Sequence, residues 1–221
     1  MTTVASLPTG AEARVQNEGA PLATVLVNGG TARPVPGTWS ATGELLAQEL
    51  APRYPGVAFV EVRYRVKSWH ALPSCIDDAS AALDLAEGLG ARSALMIGFS
   101  MGGAVSIGVA GDERVAGVLG LAPWIPDRLS LAGLRWKRLD VVHGAWDRYL
   151  PGVPGVSPVS SRAGFERAQA AGAHGSYTLI ARGVHGCALR GPSGRLLRLP
   201  RWGAWVEHAG AAVARFQAAS A

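Results

Sequence analysis

Apolar positions along the chain fall into short, nearly unbroken runs, separated by longer stretches in which they recur at helical spacing. Six runs stand out, at 23–27 (ATVLV), 57–64 (VAFVEVRY), 93–99 (SALMIGF), 115–122 (VAGVLGLA), 139–143 (LDVVH) and 176–181 (SYTLIA). Runs of this length, rich in Val, Ile and Leu and lacking a polar alternate, suit strands covered on both faces, as in a parallel sheet. Between them the segments 40–50, 75–89, 101–109, 162–171 and 202–218 read as helices. Strand alternating with helix predicts an α/β fold: a mostly parallel, twisted sheet joined by right-handed crossovers, with helices on both faces. Gly and Pro punctuate the runs as turns. With no internal repeat and no linker, residues 1–221 read as a single domain.

Composition narrows the class. Hydrophobic residues make up 48% of the 221 residues and charged residues 17%, enough to build a core and too apolar for disorder. No apolar run approaches the roughly 18 residues of a membrane helix, and the start MTTVASLPTG lacks the basic and apolar regions of a secretory leader. A cytoplasmic protein without a membrane partner is the expectation. Two cysteines, Cys75 and Cys187, can form neither a disulfide framework nor a four-ligand zinc site of their own. The net charge of +5 comes without nucleic-acid motif spacing, so no nucleic-acid partner is expected.

In an α/β sheet, chemistry gathers on loops beyond the carboxyl ends of the strands. The run at 93–99 leads into Gly98-Phe99-Ser100-Met101-Gly102-Gly103 and then the helical AVSIGVA. This is small–X–Ser–X–small on a sharp strand-to-helix turn, which lifts a serine hydroxyl clear of the sheet. A Cβ at Gly98 or Gly102 would collide across such a turn. The pentapeptide alone is a weak signal; its place between strand and helix sharpens it. A serine hydroxyl needs a base, and the base needs an orienting carboxylate; on such a turn they follow in the order Ser, Asp or Glu, His.

The order selects partners. Asp147 lies just beyond the run at 139–143, in Gly144-Ala145-Trp146-Asp147, whereas Asp140 sits at the wrong end of that run and Asp127 is a weaker alternative on the preceding connection. His185 lies just beyond the run at 176–181, between Gly183 and Gly186. His174 and His208 fit worse, and His70 and His143 precede Asp147 and break the order. After the run at 23–27, Asn28-Gly29-Gly30-Thr31 suits an oxyanion hole, with the N–H of Gly30 (Thr31 as near alternative) and of Met101 as donors. Two rival phosphate motifs fail: Pro34 and Pro36 prevent the helix a dinucleotide fingerprint requires, and no Gly-Lys-Ser/Thr is present. Cys187, near His185 but without a sharp turn of its own, reads as a packing thiol.

NGG at 28–30, GFSMGG at 98–103, HGAWD at 143–147 and GVHG at 183–186 together resemble the α/β-hydrolase superfamily, over nearly the whole chain from Pro21 to Phe216. The resemblance is to its small, capless serine esterases and the dienelactone-hydrolase-like branch. It implies about eight strands, a Ser100–Asp147–His185 triad and no metal or organic cofactor. Only about sixteen residues separate the runs at 115–122 and 139–143, where larger relatives insert a lid, so no cap domain is expected. Two departures stand out. Asn28-Gly29 replaces the common His-Gly, and Ser100 replaces the cysteine usual in dienelactone hydrolases, which disfavours that substrate.

Trp39, Trp124, Trp146 and Tyr149 lie on loops at the active end and could wall an apolar pocket. Arg190, Arg195, Arg198 and Arg201 form a basic stretch that could flank it or simply be solvated. The expected activity is hydrolysis of a small-molecule carboxylic ester or thioester through an acyl-enzyme on Ser100. Alternatives are acyl transfer or perhydrolysis on the same triad, or a non-catalytic binding protein that reuses the fold. Oligomeric state is left open.

Overall fold

The computed structural model describes residues 2–147 and 155–220. Strands are numbered along the chain: β1 Thr3–Ser6, β2 Glu12–Gln16, β3 Leu22–Val27, β4 Val35–Pro36, β5 Val57–Arg63, β6 Val66–Lys67, β7 Ser93–Phe99, β8 Val115–Leu121, β9 Arg138–Gly144, β10 Tyr177–Ile180, β11 Ala188–Arg190 and β12 Leu196–Arg198. Eight of them form one sheet in the order β1-β2-β5-β3-β7-β8-β9-β10. β2 is antiparallel to both neighbours, and every other pairing from β5 to β10 is parallel. β4 pairs with β6 and β11 with β12 as separate two-stranded ribbons.

Among the described residues, five helices cover the sheet: α1 Ala41–Leu50, α2 Leu72–Gly88, α3 Met101–Gly108, α4 Pro158–Ala170 and α5 Trp202–Ala219. None is long and apolar enough to cross a membrane. Alternation along the strands divides the core in two. Ala23, Val25, Ala58, Val60, Ala94 and Met96 face α2, α3 and α4, whereas Leu22, Leu26, Phe59, Leu95, Ile97 and Leu119 face α1 and α5. Each such Leu, Ile or Phe contributes about 1.5–3 kcal/mol on burial, so β7, gripped on both faces, is a rigid support for the turn that follows it. Truncating Ile97 to Ala would cost about 2–5 kcal/mol and loosen that support.

α1 begins where Ser40 Oγ accepts from the Gly43 N–H at 3.1 Å, and α2 carries Pro73 in its first turn, where a missing N–H costs nothing. α3 is buried from Met101 to Ile107 and runs through the protein centre. Residues 122–137 join β8 to β9 through a single 3-10 turn at Ala132–Leu134, with no lid domain.

The sequence reading overlooked β1 and β2 at the sheet's outer edge, and took 190–202 as a loop. That segment instead contains most of the β11–β12 ribbon, pinned to α1 by Arg190–Glu44 and Arg198–Glu49 ion pairs, both at 2.7 Å.

Candidate active site

Ser100 sits between β7 and α3 with φ 55° and ψ −118°, a backbone state that costs an L residue about 1–3 kcal/mol. Three hydrogen bonds hold it there. Its N–H donates to Leu121 O at 2.9 Å, and its carbonyl accepts from Trp124 N at 2.9 Å and Gly103 N at 3.0 Å. The turn is tight enough that a Cβ on Gly98 would run into the Gly102 carbonyl, and one on Gly102 into the Val27 carbonyl. The expectation of glycines on both sides of Ser100 thus has a specific steric cause: each is walled by backbone that cannot move aside.

Asp147 lies beyond β9 and is buried, and its Oδ2 is 2.6 Å from His185 Nδ1. His185 lies beyond β10 on the same edge of the sheet. Its ring centroid is 4.8 Å from that of Phe99, the residue preceding Ser100. The structure therefore brings the acid and the imidazole into direct contact and sets them beside the serine turn. Among the described residues no hydrogen bond joins Ser100 Oγ to the ring in this conformation. Such bonds commonly tighten only with substrate in place.

Sequence order had set His143 aside, yet it meets the same carboxylate. Its Nε2 is 3.1 Å from Asp147 Oδ2 and 2.9 Å from Val156 O, and the ring is fully buried. Burial by itself would raise the Asp147 pKa, but the hydrogen bonds from His143 and His185 outweigh it and hold the carboxyl below its ordinary value. The signal was in HGAWD itself: a histidine four residues before an aspartate, at the end of a buried strand.

At the loop after β3, the Gly29 N–H donates to Asn28 Oδ1 at 2.7 Å, Asn28 Nδ2 donates to Thr38 O at 3.0 Å, and the Tyr64 hydroxyl donates to Asn28 O at 3.1 Å. Asn28, the departure from His-Gly, thereby clamps the loop from three sides. A Cβ on Gly29 would lie 3.3 Å from Ser100 Cβ, so this loop borders the serine directly. Among the described residues the Gly30 and Met101 N–H groups donate to no protein acceptor.

The tryptophans divide. Trp124 is next to the serine turn through its N–H bond to Ser100. Trp146 is 57% exposed on the Asp147 loop. Trp39 is instead stacked by Arg14 at 4.2 Å and Arg63 at 5.5 Å, which gives its ring a packing role beside β2 and β5. Tyr149 lies outside the described residues. A wall the sequence reading missed is Trp69: a Cβ on Gly30 would strike its ring and the Met101 sulfur. It lies on the short turn before α2, where no apolar run marks it. Cys187 is buried against Thr42, and burial pushes its thiol up to about 12, out of reach as a thiolate at neutral pH.

A cavity of about 530 Å³ opens at the opposite, amino edge of the sheet, among Trp136, Arg138, Asp140, His174, Arg215 and Phe216. It shares no residue with the Ser100 site.

No protein-family model and no curated protein matches the sequence. Solved structures do match in shape. Est1E from Butyrivibrio proteoclasticus is 15% identical with a TM-score of 0.69, over 98% of this chain and 99% of that one. A putative α/β hydrolase from Agrobacterium tumefaciens is 14% identical with a TM-score of 0.69, over 99% and 97%. A thermophilic esterase, Est2 of Thermogutta terrifontis, is 14% identical with a TM-score of 0.66, over 97% and 94%. Identity this low speaks for the fold alone. This chain has the α/β-hydrolase fold, in a small form whose β8–β9 connection carries no lid.

Proposed function

We propose that the protein is a serine hydrolase of small carboxylic esters or thioesters. One observation carries the reading: a serine held at positive φ on a strand-to-helix turn, on the same sheet edge as buried Asp147 and its partner His185, 2.6 Å apart. Ser100 Oγ attacks the acyl carbon as His185 Nε2 takes its proton. Asp147, bonded to Nδ1, fixes the tautomer that leaves Nε2 free and stabilises the imidazolium that forms. The Gly30 and Met101 N–H groups stabilise the oxyanion, each worth roughly 3–4 kcal/mol. The imidazolium then protonates the leaving group, and water repeats the sequence to release the acid.

The Asp147 carboxyl, held below its ordinary value, is ionised throughout the neutral range, as this role requires. Trp69, whose ring borders Gly30, would contact the acyl or alcohol group. The structural neighbour Est1E has been seen with ferulic acid bound, which makes aromatic acyl esters a sensible first substrate class. The open β8–β9 connection favours substrates that need not be enclosed.

A fluorophosphonate probe is expected to label wild type at Ser100 and leave Ser100→Ala unlabelled, with p-nitrophenyl acetate hydrolysis lost in parallel. A folded wild type that neither labels nor turns over any short ester or thioester would refute the reading.

A further inference from the structure

The hydrolase reading leaves one buried group unused. His143 has 0% side-chain exposure, and its Nε2 points at two acceptors, Asp147 Oδ2 at 3.1 Å and Val156 O at 2.9 Å. Two acceptors facing one nitrogen require a proton on it, so Nε2–H donates in a forked bond. Nδ1 has no hydrogen-bond partner among the described residues, and a proton there would be a buried orphan donor. The tautomer is thus set by geometry. The ring lies nearly parallel to that of Tyr177, with centroids 6.4 Å apart and an interplanar angle of 18°.

Asp147 Oδ2 consequently accepts from two imidazoles, while Oδ1 has no hydrogen-bond partner among the described residues. The carboxylate cannot swing without breaking the His143 bond. The charge on Oδ2 is also divided between two donors, so His185 receives only part of it.

We propose that His143 is a positioning residue which, through Nε2–H on Asp147 Oδ2, locks the carboxylate against His185 and tempers how strongly that carboxylate holds the imidazolium. The proposal rests on the serine-hydrolase reading for its kinetic consequences, though not for the geometry. Among the described residues, the other titratable or charged groups around the trio are Tyr177, Arg162 and Cys187. Tyr177 on β10 donates its hydroxyl to Pro158 O at 2.8 Å, Arg162 on α4 lies over the Tyr177 ring at 4.2 Å, and Cys187 faces Thr42. None of these is hydrogen-bonded to Asp147 among the described residues.

The test compares three variants. His143→Phe keeps a ring against Tyr177 and removes the donor. His143→Gln keeps a donor at similar reach. His143→Leu removes both ring and donor, and serves if Phe does not fold. Activity on p-nitrophenyl acetate is normalised to fluorophosphonate-titrated sites. For the donor-less variant, kcat is expected to fall roughly 10²-fold with KM little changed. The acid limb of kcat/KM is expected to move to higher pH, because all the Oδ2 charge now faces His185 and the carboxyl has lost a donor. Gln should restore most of both. An unshifted acid limb with unchanged kcat in Phe or Leu, or a Gln variant indistinguishable from them, overturns the proposal. The downfield proton resonance of the 2.6 Å Asp147–His185 bond gives a readout independent of turnover. It should shift in Phe or Leu and return toward wild type in Gln. An inactive wild type sinks the hydrolase reading, while this resonance still decides the role of His143.

Discussion

Strand β9 carries a buried aspartate at each end, and their partners differ. Asp140, at the amino end, accepts from Arg138 at 2.7 Å, Arg215 at 2.8 Å, and the Ser176 N–H and hydroxyl at 2.9 and 2.8 Å. Asp147, beyond the carboxyl end, accepts from His143 and His185. In both, burial raises the pKa and hydrogen-bonding donors more than reverse it. Guanidinium groups never give up their protons in a protein, whereas imidazoles exchange theirs near neutrality. The first arrangement is a fixed fastening between β9, β10 and α5. The second can take part in proton transfer. Similar burial and similar charge therefore lead to different capacities, decided by the partner's chemistry and by which sheet edge the residue occupies.

The sharpest way to break this contrast is to neutralise each acid in turn. Asp147→Asn is expected to lower kcat/KM about 10⁴-fold on p-nitrophenyl acetate, by favouring the wrong imidazole tautomer, with little change in the urea midpoint. Asp140→Ala should do the reverse. It leaves Arg138 and Arg215 facing each other, and because both are nearly half exposed the loss is about 2 kcal/mol in urea unfolding rather than the larger figure for a fully buried pair. Activity per folded molecule should stay within a few-fold. If Asp140→Ala abolished activity at full stability, the contrast would fail.

A subtler measurement is stability against pH. Both aspartates have folded-state values below their ordinary ones. Their contributions are therefore fully present above about pH 4 and are lost as pH falls through the depressed folded values. Asp140→Asn should flatten that acid limb, seen as a smaller drop in unfolding free energy on going to low pH. Glu61 has the opposite sign. Burial raises it to about 7 despite its 2.9 Å pairing with Arg14, whose charge is shared with Glu44. Its protonated form is the favoured one, so its own contribution to stability is greatest below about pH 4.5 and declines as pH rises through about 7. Glu61→Gln should gain on wild type as pH rises across that window, the smallest effect of the set.

Ser100, Asp147 and His185 stand out as candidates in the sequence because each follows an apolar run; the strands before Ser100 and Asp147 are covered on both faces, whereas β10 is a half-exposed edge strand. The rest was hidden where burial is one-sided or replaced by charge. β1 is mostly exposed, and β2 alternates half-buried and buried residues over five positions, too short a pattern to separate from a turn. The β11–β12 ribbon sets Ala188 and Leu196 against the core and is otherwise held by Arg190 and Arg198 reaching α1, so its basic residues read as a loop. His143 was passed over because chain order excludes a histidine before the acid, although order constrains only the base. Trp39 looked like a pocket wall because loop position does not reveal which way a ring turns.

The β8–β9 connection carries a consequence for how such a protein could change. Its first residues are anchored: Ala122 N–H donates to Val142 O at 2.8 Å, and Pro123 packs where a Cβ on Gly103 or Gly120 would otherwise lie. A few residues on, Asp127 and Arg128 are exposed at a sharp bend. New sequence could enter there without disturbing a strand, a few residues along the chain from Trp124, whose N–H holds the Ser100 carbonyl. This scaffold can thus take on new surface by addition at one permissive point, with Ser100, Asp147 and His185 left as they are.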